Sequence, residues 1–239
     1  MRRIFHIIVR WTRRMGLDHL WPIAAYLTLY MIWFTILEHV ERSHYIEVSF
    51  ALDQHIPLVE AFVVPYLSWF LFIMIGIFYT YFMDRDAFDE MSTILMIGMT
   101  AFLVISTFFP NQQGLRPTEL TSDGLFADAL RRIWSVDTPT NVFPSIHVFN
   151  SAAVEYGLLK AHAGTKRNPV FQILTMTWTI LIILSTVLIR QHSVLDMISA
   201  LALIAVSWVL VSKKGMVLRF EGWDAYVDRV MDEVKSRAD

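Results

Sequence analysis

Apolar residues gather into six blocks, about Trp21–Leu37, Leu58–Phe82, Ser92–Phe109, Ser145–Leu159, Phe171–Ile189 and Val194–Val211, with charged residues, Pro and Gly collected between them. A helix needs about 20 largely apolar residues to cross the hydrocarbon of a bilayer, so blocks of this length predict transmembrane helices. The fourth is the weakest: it contains Asn150 and Glu155, reaches Lys160, and by itself also fits a soluble core helix. Its neighbours argue that it spans. No internal repeat is visible, and no stretch is long enough for a second soluble domain. The expected fold class is all-α, a polytopic integral membrane bundle of six transmembrane helices.

The ends differ from the blocks. Residues 1–20 carry Arg2, Arg3, Arg10, Arg13 and Arg14 among Ile4, Phe5, Ile7, Ile8, Val9 and Trp11, the pattern of a basic amphipathic helix on a membrane surface; an orientation signal alone fits equally. A cleavable signal peptide is not expected, because a long basic segment precedes the first apolar block and no Ala-x-Ala site follows it. Residues 21–212 then form the membrane catalytic domain, and residues 213–239 an amphipathic cytoplasmic tail.

Composition narrows the class. The 239 residues are 55% hydrophobic and 18% charged, against about 25% charge in soluble domains. Disorder, collagen and low-complexity readings are excluded by the long apolar blocks. With no Cys, disulfides, thiolate metal sites and cysteine nucleophiles are absent together. The net charge of -2 says little, but its distribution says more. With the N-terminus inside, 15 of the 20 Lys and Arg fall on the inner side, and only Arg42, Arg116, Arg131, Arg132 and Arg190 lie outside. The positive-inside rule then places both termini in the cytoplasm.

Three clusters at block edges face the same outer side under that topology: Gly114-Leu115-Arg116-Pro117, Phe143-Pro144-Ser145-Ile146-His147, and Arg190-Gln191-His192-Ser193-Val194-Leu195-Asp196. His192 and Asp196 are four apart, so on a helix the carboxylate holds one ring nitrogen and leaves the other free as nucleophile or base. Pro144 and Ser145 read as a helix start, whose amides and positive dipole end suit an anion, with the Ser145 hydroxyl as an extra donor. His147, just inside, is placed to protonate a leaving oxygen, and Arg116 and Arg190 to clamp phosphate oxygens. Each residue alone has a bland reading as an interfacial His or a turn Arg-Pro; the joint pattern points to phosphoryl transfer. Glu155 follows His147 by eight positions and either shapes a head-group pocket with Asn150 and Pro117 or pairs with a neighbouring helix. Asp53, His55 and Pro57 lie on the same side without a motif of their own.

These residues resemble the type 2 phosphatidic acid phosphatase superfamily, whose signature runs Lys-x6-Arg-Pro, Pro-Ser-Gly-His and Ser-Arg-x5-His-x3-Asp. The chain offers Arg116-Pro117, Pro144-Ser145-Ile146-His147, and Ser185 with His192-x3-Asp196. The resemblance implies that His192 attacks phosphorus, His147 protonates the leaving alcohol and Asp196 orients His192. It also departs from the pattern. Phe109 stands where the family Lys would fall, Ile146 replaces the glycine and still offers its backbone N–H, and Thr186 takes the place of the family Arg, with Arg190 as substitute. The gaps resemble the divergent branch that includes inositol phosphorylceramide and sphingomyelin synthases.

The expectation is a membrane lipid phosphate phosphatase working through phosphohistidine, with His192, His147 and Asp196 catalytic and Arg116, Ser145, Ile146 and Arg190 on the phosphate. A lipid phosphotransferase is the runner-up, and a non-catalytic transporter or scaffold the rival. No metal or other cofactor is expected, since arginines and amides supply the positive field and no carboxylate cluster is present. Lipid phosphates and membrane lipids are the expected partners, not nucleic acid. The expected location is the bacterial cytoplasmic membrane, with the site on the extracytoplasmic face.

Overall fold

Within a bilayer every backbone N–H and C=O must be satisfied internally, so long apolar runs fold as helices. The computed structural model describes residues 20–40, 42–120, 122–163 and 168–219. Nearly all of the basic N-terminal segment, Lys166, Arg167 and the tail from residue 220 lie outside the described residues. The described chain is mostly helical: α1 (Trp21–His39), α2 (Val63–Leu67), α3 (Trp69–Met83), α4 (Arg85–Phe108), α5 (Leu125–Val136), α6 (Ile146–Ala163), α7 (Pro169–Leu188) and α8 (Val194–Trp208), the last continued by a π-turn to Lys213. The described residues fall into two units, Trp33–Val217 and a smaller one that includes residues 20–32 and 218–219. In the smaller, Tyr26 and Tyr30 stack at 6.4 Å along α1 and the Thr28 hydroxyl donates to the Ala24 carbonyl at 2.8 Å.

Among the described residues, five segments are long and apolar enough to cross a membrane: Trp21–His39, Glu60–Met83, Arg85–Phe108, Pro169–Leu188 and Val194–Lys213. Helix α6 is not among them, and its position explains its weak apolarity. It packs against α3, α4, α7 and α8, so its side chains face protein on nearly every side, including Asn150, Ser151 and Glu155. Close approach is built in at Gly98 of α4, where a Cβ would collide with the Phe149 ring. Lipid-facing positions collect on the surrounding helices instead, with Phe70, Phe82, Ile173 and Leu174 all exposed.

The connection between α4 and α6 contains an element that the apolar blocks did not announce. Helix α5 is amphipathic: Ala127 and Leu130 are buried, whereas Leu125 and Val136 are exposed. Leu130 joins Val63 and Tyr66 of α2 and Ile189 in one cluster. At the same end of the bundle, strands β1 (Ile46–Glu47) and β2 (Asn111–Gln112) pair in parallel, and Gln112 bridges to Thr140. Three loops are thereby tied together around the ends of α6 and α8.

Candidate active site

The turn from α7 to α8 presents the third motif. Arg190 adopts φ 55°, the left-handed conformation that costs a non-glycine residue about 1–2 kcal/mol, and the chain reverses there. The amides of Gln191 and His192 both donate to the Thr186 carbonyl at 3.0 Å. Ser193 caps α8 by accepting the Leu195 N–H at 3.0 Å, and Asp196 completes a capping box by accepting the Ser193 N–H at 2.9 Å. The same Asp196 Oδ2 lies 3.3 Å from His192 Nδ1. The two residues meet, on a carboxylate with no exposure, but not as the helix-face pair read from the sequence: His192 precedes the Ser193 cap, and the turn before α8 brings its ring to Asp196.

The second motif meets it from α6. The Ser145 N–H donates to the Asp196 carbonyl at 3.3 Å, and the Ser145 hydroxyl accepts the Val148 N–H at 3.4 Å. One turn inward, His147 Nδ1 lies 3.4 Å from His192 Nε2. With His192 Nδ1–H donated to Asp196, the Nε2 lone pair faces His147 Nδ1–H, which is the tautomer pair that satisfies both contacts. Tyr66 and Trp69 pack their rings on His147 at 4.6 and 4.5 Å. Neither aromatic belongs to a motif; their signal was only their place at the start of the second apolar block.

The two arginines approach from the loops and spend most of their donors on carbonyls. Arg116 Nη1 donates to the Asp137 and Trp134 carbonyls at 2.7 and 3.3 Å, and Nη2 to the Gln191 side chain. Arg190 Nη1 donates to the Leu115 carbonyl at 3.0 Å and Nη2 to that of Ile56 at 3.4 Å. The Nε of both, the indole Nε1 of Trp69 and Asp196 Oδ1 are buried without a hydrogen-bond partner. Such groups are rare in folded proteins and call for a ligand or water. Asn150 Oδ1 is another, whereas Glu155 accepts from Thr175 and Thr179 of α7 at 3.1 and 3.2 Å, the inter-helix pairing foreseen as one of its two readings. Pro117 lines, with Arg116, Arg131 and Trp134, an open cavity of about 500 Å³ that neither histidine borders.

Sequence reading missed a carboxylate. Asp137 Oδ2 accepts from the Tyr66 hydroxyl at 3.2 Å and the Gln191 amide at 3.0 Å, linking the partner of His147 to the neighbour of His192. Burial of the carboxyl end pushes it above the ordinary range, opposed by the nearby charges of His192 and Arg116. Asn111 was missed as well: its side-chain oxygen accepts the Val142 and Phe143 amides at 2.8 and 2.9 Å and braces the loop that enters α6. No group of three or more His, Asp or Glu suited to a metal occurs among the described residues.

In order, the three motif clusters converge at one end of the bundle, and two histidines with a carboxylate form its centre. No curated protein and no solved structure matches the chain. The family model described as the PAP2 superfamily matches residues 35–210, from the second half of α1 to the end of α8 and so across all three clusters, and the chain belongs to that superfamily, the type 2 phosphatidic acid phosphatases.

Proposed function

We propose that the protein is a lipid phosphate phosphatase in which His192 is the nucleophile. The observation that carries this reading is His192 itself, held between Asp196 on Nδ1 and His147 on Nε2. A lipid phosphate entering between the two rings replaces their contact. His192 Nε2 then bonds to phosphorus as the bond to the lipid oxygen breaks, and His147, entering the step as the imidazolium, gives that oxygen its Nδ1 proton and is left neutral. In the second step His147 takes a proton from water, the water oxygen bonds to phosphorus, and the N–P bond breaks to release inorganic phosphate and restore His192. The unpartnered Nε groups of Arg116 and Arg190, the Trp69 indole N–H and the amides at the start of α6 supply donors for the phosphoryl oxygens. The bias of basic residues supports an extracytoplasmic site with both termini in the cytoplasm.

One observation favours phosphotransfer as a second reading. A carboxylate at Asp137, hydrogen-bonded to Tyr66 beside His147 and to Gln191 beside His192, disfavours a dianionic monoester more than a singly charged diester. A transport role is poorly supported, because the polar groups gather at one end of the bundle rather than at broken helices near its middle.

The test offers purified protein a panel of phosphatidic acid, phosphatidylglycerol phosphate, a polyprenyl pyrophosphate and a sphingolipid phosphate, with and without chelator. Release of inorganic phosphate with water as sole acceptor supports the phosphatase. Head-group exchange between two lipids without free phosphate selects the transferase, and neither activity across the panel refutes both.

A further inference from the structure

Three donors converge on a buried carboxylate that the proposed reaction does not use. Asp53, 5% exposed, lies in the short 3₁₀ turn Ala51–His55 of the loop between α1 and α2. Its Oδ2 accepts the Ser193 hydroxyl at 2.6 Å and the Phe50 N–H at 2.7 Å, and its Oδ1 accepts the Val194 N–H at 2.8 Å. Asp53 thus caps the N-terminus of α8 from far away in sequence, and places a negative charge where the helix dipole favours one.

The clamp has a directional consequence. With its proton given to Asp53, the Ser193 hydroxyl has its lone pairs turned to the Leu195 N–H, and the Ser193 backbone N–H is left aimed at Asp196 Oδ2. That oxygen is also the one that meets His192, while Asp196 Oδ1 has no partner. The rotation of the Asp196 carboxylate is therefore set by Ser193 and His192 alone. The other charged or titratable groups around the pair are His147 from α6, Asp137 after α5, and Arg116 and Arg190 from the loops; of all these, none but Asp53 bonds to the Ser193 hydroxyl. The same loop supplies the Ile56 carbonyl to Arg190.

We propose that Asp53 is a positioning residue: through Ser193 it holds Asp196 in the orientation that keeps His192 Nδ1–H donated and its Nε2 directed at the substrate. The assignment of His192 as nucleophile underlies this inference. In Asp53→Asn the side chain keeps its size, but its one oxygen can serve Val194 only if its NH2 faces Ser193. The hydroxyl must then accept instead of donate, and Phe50 loses its acceptor.

Two readouts on the full-length protein test it, with Asp53→Asn, Ser193→Ala and the double variant. The first needs no turnover: in protein labelled with 15N-histidine, the His192 ring N–H signal is identified by its loss in His192→Gln. Its exchange with solvent is expected to be roughly 10-fold faster in each single variant at unchanged global stability. The second is steady-state kinetics on whichever lipid phosphate the wild type turns over. Each single variant should lose about 10- to 100-fold in kcat with little change in KM, and the double variant no more than the worse single one. Unchanged His192 exchange in both folded single variants, or kcat losses that multiply in the double variant, overturns the proposal. If the wild type turns over none of the panel, the exchange measurement decides alone, and if Asp53→Asn fails to fold, Ser193→Ala carries the comparison.

Discussion

The two ends of α6 hold the same kinds of residue and treat them differently. At the end away from the site, Lys160 pairs with Glu90 at 2.6 Å, and Tyr156 donates to Glu90 at 2.5 Å while sharing a hydrogen bond with Ser212 at 2.7 Å. His162 accepts the Asn168 N–H at 2.7 Å on Nε2 and meets the Tyr79 hydroxyl at 3.4 Å on Nδ1. Both ring nitrogens are thus engaged by the fold. At the other end His147 and His192 contact each other, and an indole N–H, two guanidinium Nε groups and a carboxylate oxygen around them lack partners. A cluster whose hydrogen bonds close on themselves stabilises the chain; one left open has capacity for something the chain does not contain.

Substitutions at the two ends should separate these roles. The largest contrast is His192→Gln against His162→Gln: the first is expected to abolish phosphate release, by about 10⁴-fold or more, with little change in melting temperature. The second should leave turnover within about 3-fold while lowering stability by about 1–3 kcal/mol. Turnover that survives in His192→Gln breaks the comparison. Next, Arg116→Lys replaces a fork that reaches Asp137, Trp134 and Gln191 at once with a single ammonium, and kcat/KM should fall roughly 100-fold. Lys160→Met removes the cation that pairs with the Glu90 carboxylate and should destabilise by about 1–3 kcal/mol, read by thermal unfolding in detergent, without changing KM.

The smallest expected effect concerns pH. Burial holds the Asp137 carboxyl above its ordinary range, so the folded state favours the protonated form. The stability this contributes is present below the unfolded value and lost as pH rises through the folded one. Asp137→Asn lacks that loss, so its melting temperature should gain on the wild type as pH rises from about 4, by on the order of 2 °C or less, because the residue as a whole is exposed although its carboxyl group is enclosed. A difference that moves the other way would show that the charges of His192 and Arg116 outweigh burial.

Much of the bundle was legible as apolar periods of membrane length, and the third motif as a His-x3-Asp spacing, although His192 lies in the turn before the capped helix rather than on it. The role of α6 was harder to read. Its Asn150, Ser151 and Glu155 lower its apolarity because neighbours replace lipid around it, and a single sequence does not reveal which helix will be surrounded. Helix α5 escaped because an amphipathic segment of 12 residues is too short and too mixed to appear as an apolar block. Asp53, Asn111 and Asp137 act through loops brought together by long-range hydrogen bonds, at separations where no local pattern exists. Arg116 and Arg190 were recognised by type and position, but their engagement with main-chain carbonyls depends on loop paths that residue identity does not encode.

The long-range bond between Asp53 and Ser193, separated by 140 positions, bears on how the protein is made. Asp53 emerges before the second span enters the membrane, whereas the end of α8 that it caps comes into being only with the last. Until the final hairpin docks, this carboxylate has neither of its α8 partners, the Ser193 hydroxyl and the Val194 N–H. On the roles proposed above, a copy that ends before α8 keeps His147 and Arg116 but has neither Asp196 nor the Ser193 cap that Asp53 holds.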